Sequence, residues 1–126
     1  MSEHVSGEER RKAQRVDATL ALALHLDLPA MEGAPPPETI NVSSTGVYFR
    51  SVPYIEPMTK LSLNFDVPTD AEGAIGRVVC EGIVARVVPE VPAPDADGYE
   101  VAVFFTVIDA DSLSNLESYI ALRLAS

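Results

Sequence analysis

From Val16 to Leu28 the even positions are Val16, Ala18, Leu20, Leu22, Leu24, Leu26 and Leu28, and the odd ones are mostly small or polar. Side chains that alternate in this way fit a strand with one buried face, because successive residues of extended chain point to opposite sides. Ala and Leu also favour helix, but that preference is weak beside an unbroken period of two. The same pattern returns in Thr59 to Val67, with Leu61, Leu63, Phe65 and Val67 on one face, and in Tyr99 to Val107, with Tyr99, Val101, Val103, Phe105 and Val107 in phase.

Between these runs the chain is cut by turn formers. Pro29 and Gly33-Ala34-Pro35-Pro36-Pro37 end the first strand, Pro53 and Pro57 bracket a later turn, and Pro89 to Gly98 forms a loop. Shorter strands fit Glu38 to Val42 and Gly46 to Ser51, and a long β-branched strand runs from Ala74 to Val88. Gly82 marks a bulge in that strand, where the in/out phase changes. Only the end is helical in pattern: Asp109 or Asp111 can cap, and Leu113, Leu116, Ile120 and Leu124 recur at three- and four-residue steps. Six strands, no helix between them and one helix at the end predict an all-β fold, a six-stranded antiparallel barrel with a C-terminal α-helix covering one mouth.

The chain has 126 residues, enough for one domain with its own core. Residues 1–9 are polar and acidic without periodicity and read as a flexible tail, leaving 10–126 as the domain. The single Cys80 sits in an apolar stretch and reads as a reduced core residue, consistent with a cytoplasmic protein. His25 reads as a half-buried strand residue, and Cys80, His4 and His25 lack the paired spacing of a metal site. No apolar run is long enough to span a bilayer, and no secretory signal is visible at the N-terminus.

Charge is unevenly spread. The net value is −10; residues 1–15 hold three acids and four bases, so the remaining chain carries −11. A body so acidic repels a nucleic-acid polymer, whose binding needs many phosphate contacts. A small anion held by one local cluster is still compatible with it.

That cluster is Arg10-Arg11-Lys12-Ala13-Gln14-Arg15, followed after one strand by Asn41-Val42-Ser43-Ser44-Thr45-Gly46. Arg11 and Arg15 supply two planar forks that can grip a phosphate, meet the acceptor edge of guanine or stack on a purine. Asn41 and Ser43 add compact donors and acceptors, and Gly46 permits a close backbone approach. Taken singly, each half fits ordinary surface or turn chemistry.

Together they resemble the PilZ domain family, whose signature is Arg-x-x-x-Arg followed by Asp/Asn-x-Ser-x-x-Gly; the closing strand Gly98 to Phe105 is a weaker point of likeness. The resemblance implies a PilZ-like barrel that binds cyclic di-GMP through Arg10, Arg11, Arg15, Asn41, Ser43 and Gly46. It implies a receptor that changes conformation and signals to a partner protein, with no catalytic residues, no metal and no cofactor. Arg10, just before the paired arginines, implies an intercalated nucleotide dimer as ligand, and a homodimer is among the expected assemblies. The alternative is a PilZ-fold adaptor that works by protein contact without nucleotide. An enzyme is not expected, since no general base is spaced against a nucleophile.

Overall fold

The computed structural model describes residues 15–17 and 24–125. Its strands are β1 (Val16–Asp17), β2 (His25–Asp27), β3 (Glu38–Val42), β4 (Gly46–Ser51), β5 (Lys60–Pro68), β6 (Ile75–Val88) and β7 (Tyr99–Ile108), and they precede the helix α1 (Ala110–Leu124). A 3₁₀ turn, Pro29–Met31, lies between β2 and β3. The strands form one curled antiparallel sheet in the order β1-β3-β4-β7-β6-β5-β2.

The expected fold class is what the structure has, with seven strand segments in place of six. The first predicted strand contributes two: β1 pairs with β3 at one edge of the sheet, and β2 pairs with β5 at the other. One stretch of chain therefore occupies both edges, which the curl makes possible and which shields edges that would otherwise recruit other chains. The predicted parity holds at the described positions, since Val16 and Leu24 are buried while Asp17 and Asp27 are exposed. His25, expected to be half-buried, is exposed because it shares the outward parity of Asp27. Residues 18–23 and the predicted tail 1–9 lie outside the described residues.

The concave side is filled by Val42, Val47, Phe49, Leu61, Leu63, Phe65, Val67, Val78, Val84, Val87, Val101 and Val103, with α1 closing over it through Leu116, Tyr119 and Ile120. Asp109 caps α1, its carboxylate accepting the Ser112 backbone N–H at 2.7 Å. The helix takes over where β7 ends opposite Cys80. Beyond that point the β6 edge would be unpaired; instead the Val79 N–H donates to Ser112 Oγ at 2.9 Å, and Asn115 Nδ2 donates to the Arg77 carbonyl at 2.9 Å. Leu124, predicted for the buried stripe, is exposed in the last turn of α1, while Tyr119 supplies the buried bulk.

Three register shifts re-aim side chains. Gly82 does sit at one of them, opposite an extra residue in β7, Thr106. That insertion turns Ile108 toward the core and leaves Val107 outside, against the predicted phase. A Cβ on Gly82 would meet Val103 Cγ1 at 2.6 Å, so the glycine is required by close packing. The phase of β6 itself changes three residues later, at Ala85, which is the extra residue between the Val84–Val103 and Arg86–Ala102 pairs. In β3 the extra residue is Ile40, between the Thr39–Phe49 and Asn41–Tyr48 pairs.

Candidate functional site

Pairing of β1 with β3 brings the two sequence motifs together. Val16 lies opposite Val42 and Asp17 opposite Asn41, so Arg15 emerges beside the β3 edge. Arg15 Nη1 donates to Asn41 Oδ1 at 2.8 Å. The bulge at Ile40 makes this contact possible. Thr39 points inward and is 1 % exposed; strict alternation would send Asn41 inward too, but the inserted residue puts Val42 in the core and Asn41 outside.

The rest of the second motif forms the turn into β4. The Ser43 N–H donates to the Gly46 carbonyl at 2.9 Å, and Ser43 Oγ accepts the Thr45 N–H at 3.2 Å while sharing a hydrogen bond with Thr45 Oγ1 at 3.1 Å. Ser43 is fully buried. Gly46 lies against β7: a Cβ there would come closer than 3.0 Å to the Val103 carbonyl oxygen, with Phe104 Cα at 3.5 Å. The Phe105 N–H donates to the Thr45 carbonyl at 2.8 Å, anchoring the turn to the same strand. Ser43 and Gly46 thus shape the lip that presents Asn41. Arg10 and Arg11 lie outside the described residues.

Neighbours that the sequence did not single out share this outer face. Tyr48 pairs with Asn41, and its hydroxyl donates to Glu100. Glu100 also lies 3.9 Å from Arg50. The hydrogen bond to Glu100, then burial, raises the Tyr48 pKa, and nearby Arg86 opposes the rise. Phe104, opposite Gly46, is 54 % exposed, although most of the aromatics are core. Tyr48 could have been found by counting the hairpin register back across the Ser43–Thr45 turn; Arg86 and Glu100 arrive through long-range pairing that leaves no local signal.

A groove of about 460 Å³ lies elsewhere, on the outside of β5, β6 and β7. It is lined by Asp27, Lys60 and Glu81, among others. One cation against two carboxylates suits an anion poorly, and no motif residue reaches it, so the chemistry of the site is set at the Arg15–Asn41 face. Cys80 is no nucleophile: burial, then the Asp109 charge, pushes its thiol up to about 12. Among the described residues no cluster of His, Cys, Asp or Glu could hold a metal ion, and no helix is long and apolar enough to cross a membrane.

Comparison with known proteins bears on the family and the fold. Among curated proteins no match was found. Among solved structures, the chain is similar to the Bacillus subtilis inhibitor of motility (MotI/DgrA), with a TM-score of 0.64 at 17 % identity. That alignment covers 90 % of this chain and 52 % of the other, so this chain spans about half the length of that protein. At this identity the likeness supports the fold alone. The PilZ domain matches residues 9–122, a span that includes both arginine and asparagine motifs and ends inside α1. The chain belongs to the PilZ domain family, whose members are receptor and adaptor domains.

Proposed function

We propose that the protein is a cytoplasmic receptor for cyclic di-GMP, which binds through Arg10, Arg11, Arg15, Asn41, Ser43 and Gly46 and signals to a partner protein. The observation that carries this reading is the 2.8 Å hydrogen bond from Arg15 to Asn41, which joins the two halves of the motif across the β1–β3 pair. A guanidinium held beside a neutral amide offers a guanine edge or a phosphate both donors and an acceptor. Ser43 and Gly46 contribute by holding the turn that exposes Asn41. The acidic body, −11 outside residues 1–15, fits a compact ligand and disfavours a nucleic-acid polymer.

Output travels through β1. The buried Tyr119 hydroxyl of α1 lies 3.5 Å from the Asp17 carbonyl, two residues from Arg15, so a shift of the N-terminal arm bears directly on the helix. A change at the Arg15–Asn41 contact when nucleotide binds is the proposed switch. The structural neighbour is described as an inhibitor of motility, which fits a domain of this fold acting on something other than itself.

Calorimetric titration with cyclic di-GMP, with particle size measured in parallel, tests the reading. The wild type binds, Arg15→Ala binds at least tenfold more weakly, and Arg10 favours two intercalated nucleotides per chain. Absence of heat at saturating nucleotide refutes it. One observation favours a nucleotide-free adaptor as the second reading: Ser43 and Gly46 already have complete structural roles in the turn and against β7. In that case wild type and Arg15→Ala are equally silent.

A further inference from the structure

Two of the three register shifts do the same thing on the same row of the sheet. Reading across the strands, Asp17 pairs with Asn41, Asn41 with Tyr48, Tyr48 with Ala102, and Ala102 with Arg86. The Ile40 bulge turns Asn41 outward at one end of this row. At the other end, β6 points Val78, Cys80, Gly82 and Val84 inward, so strict alternation would bury Arg86. The insertion of Ala85 sends Val87 inward instead and releases Arg86 to the outer face. Each bulge disrupts ladder pairing, and each places one polar side chain on this row.

Between the two ends stand Tyr48 and Ala102, and Ala102 is the smallest residue of the row. The Tyr48 hydroxyl reaches Glu100, and Arg86 is near enough to the same hydroxyl to act on its ionisation. Among the described residues no carboxylate forms an ion pair with Arg86, whereas Arg77 pairs with Asp66 and Arg50 with Glu100. Phe104, on the same face, presents an exposed ring opposite Gly46.

We propose that Arg86, with Glu100 beside it, forms a second guanine-reading position in the cyclic di-GMP site, separate from the arginine and asparagine motifs. This rests on the receptor reading above and extends it to the far half of the ligand. Three strand spacings separate Asn41 from Arg86, about 14 Å across the sheet, a span that the long side chains of Arg15 and Arg86 and an extended bis-guanylate can bridge together. The fit is chemical as well as metric. Guanine carries the acceptors O6 and N7, which a guanidinium fork meets together, and beside them N–H donors that a carboxylate accepts. A phosphate would be drawn to Arg86 but repelled by Glu100; adenine offers an amino group where guanine has O6.

The test is calorimetric titration of the full chain with cyclic di-GMP and with cyclic di-AMP, for wild type, Arg86→Gln, Arg86→Lys, Ala102→Leu and Arg15→Ala, with melting temperatures measured alongside. Both Arg86 variants are expected to bind cyclic di-GMP about tenfold more weakly and to prefer it less over cyclic di-AMP, because lysine keeps the charge and lacks the fork. Ala102→Leu adds bulk between Tyr48 and Arg86 and weakens binding similarly, which decides the matter should an Arg86 variant melt early. Wild-type affinity in Ala102→Leu and Arg86→Gln, or in Arg86→Lys alone, overturns the assignment; loss of binding in Arg15→Ala then leaves the receptor reading intact. A wild-type chain that takes up no nucleotide removes both.

Discussion

Gly46 stands in the ligand motif, yet its surroundings assign it to the β4–β7 contact, and Gly46→Ala separates the two roles. An added Cβ lies closer than 3.0 Å to the Val103 carbonyl oxygen and 3.4 Å from its carbon, so relief requires β7 to move away by several tenths of an ångström. Movement is resisted on both sides. The Phe105 N–H bond to Thr45 and the Ser43 N–H bond to Gly46 tie the same few residues, and Val103, Phe105 and Val47 are buried beneath them. Inserting a methyl group into such a contact costs about 1–3 kcal/mol. The alanine regains about 0.4–1 kcal/mol by restricting the unfolded chain. At mid-range the net loss is about 1 kcal/mol, which lowers the melting temperature of a chain this size by roughly 3–5 °C. Thermal unfolding followed by circular dichroism measures this, and nucleotide titration well below the transition measures the other role. A melting temperature within about one degree of wild type would refute the packing argument; affinity lost with stability intact would instead assign Gly46 to the ligand.

Asp109→Ala removes the cap of α1 and its contact with Ser112, and is expected to cost about 1 kcal/mol, read as a lower midpoint in urea. Ser112→Ala leaves the Val79 N–H without its partner at the β6 edge, at a cost of about 1–3 kcal/mol; hydrogen exchange should show faster loss of that amide. Cys80 is expected to resist a thiol reagent at pH 8 in the native state and to react on unfolding, since its folded pKa of about 12 leaves almost no thiolate. The folded value lies above the ordinary thiol value of 9.0, so the contribution of Cys80 to stability is full below pH 9 and is lost as pH rises from 9 toward 12. Cys80→Ser should flatten that part of the pH–stability curve.

Much of the fold is visible in local pattern because the sheet has one wet and one dry face. The alternation in Lys60–Pro68 survives unchanged, with Leu61, Leu63, Phe65 and Val67 all buried, and the limits of Glu38–Val42 and Gly46–Ser51 are those that the turn residues mark. Alternation fails where a partner strand inserts a residue. Val107 looks buried by parity and is exposed because Thr106 is extra, and Leu124 looks like helix core and is exposed in the last turn. Before that insertion the parity of β7 holds, and it puts Phe105 inside and Phe104 outside.

The motif residues were legible as chemistry: two arginine forks, an amide, a hydroxyl and a glycine, in an order that matches the PilZ domain. Their division of labour was not. The spacing of Asn41 and Ser43 suggests a shared face, whereas the structure turns Asn41 outward to Arg15 and buries Ser43 in the turn.

The chain by itself determined strand content, the single terminal helix, the inward parity of most strands and the presence of the two-part motif, because each depends on residues close in sequence. Tertiary structure alone decided that one segment occupies both edges of the sheet, that Arg15 meets Asn41, and that Arg86 and Glu100 stand on the same face. Those outcomes depend on strand register, and register is settled by how all seven segments share one core; a single inserted residue, such as Ile40 or Ala85, is enough to move a side chain from the inside to the surface.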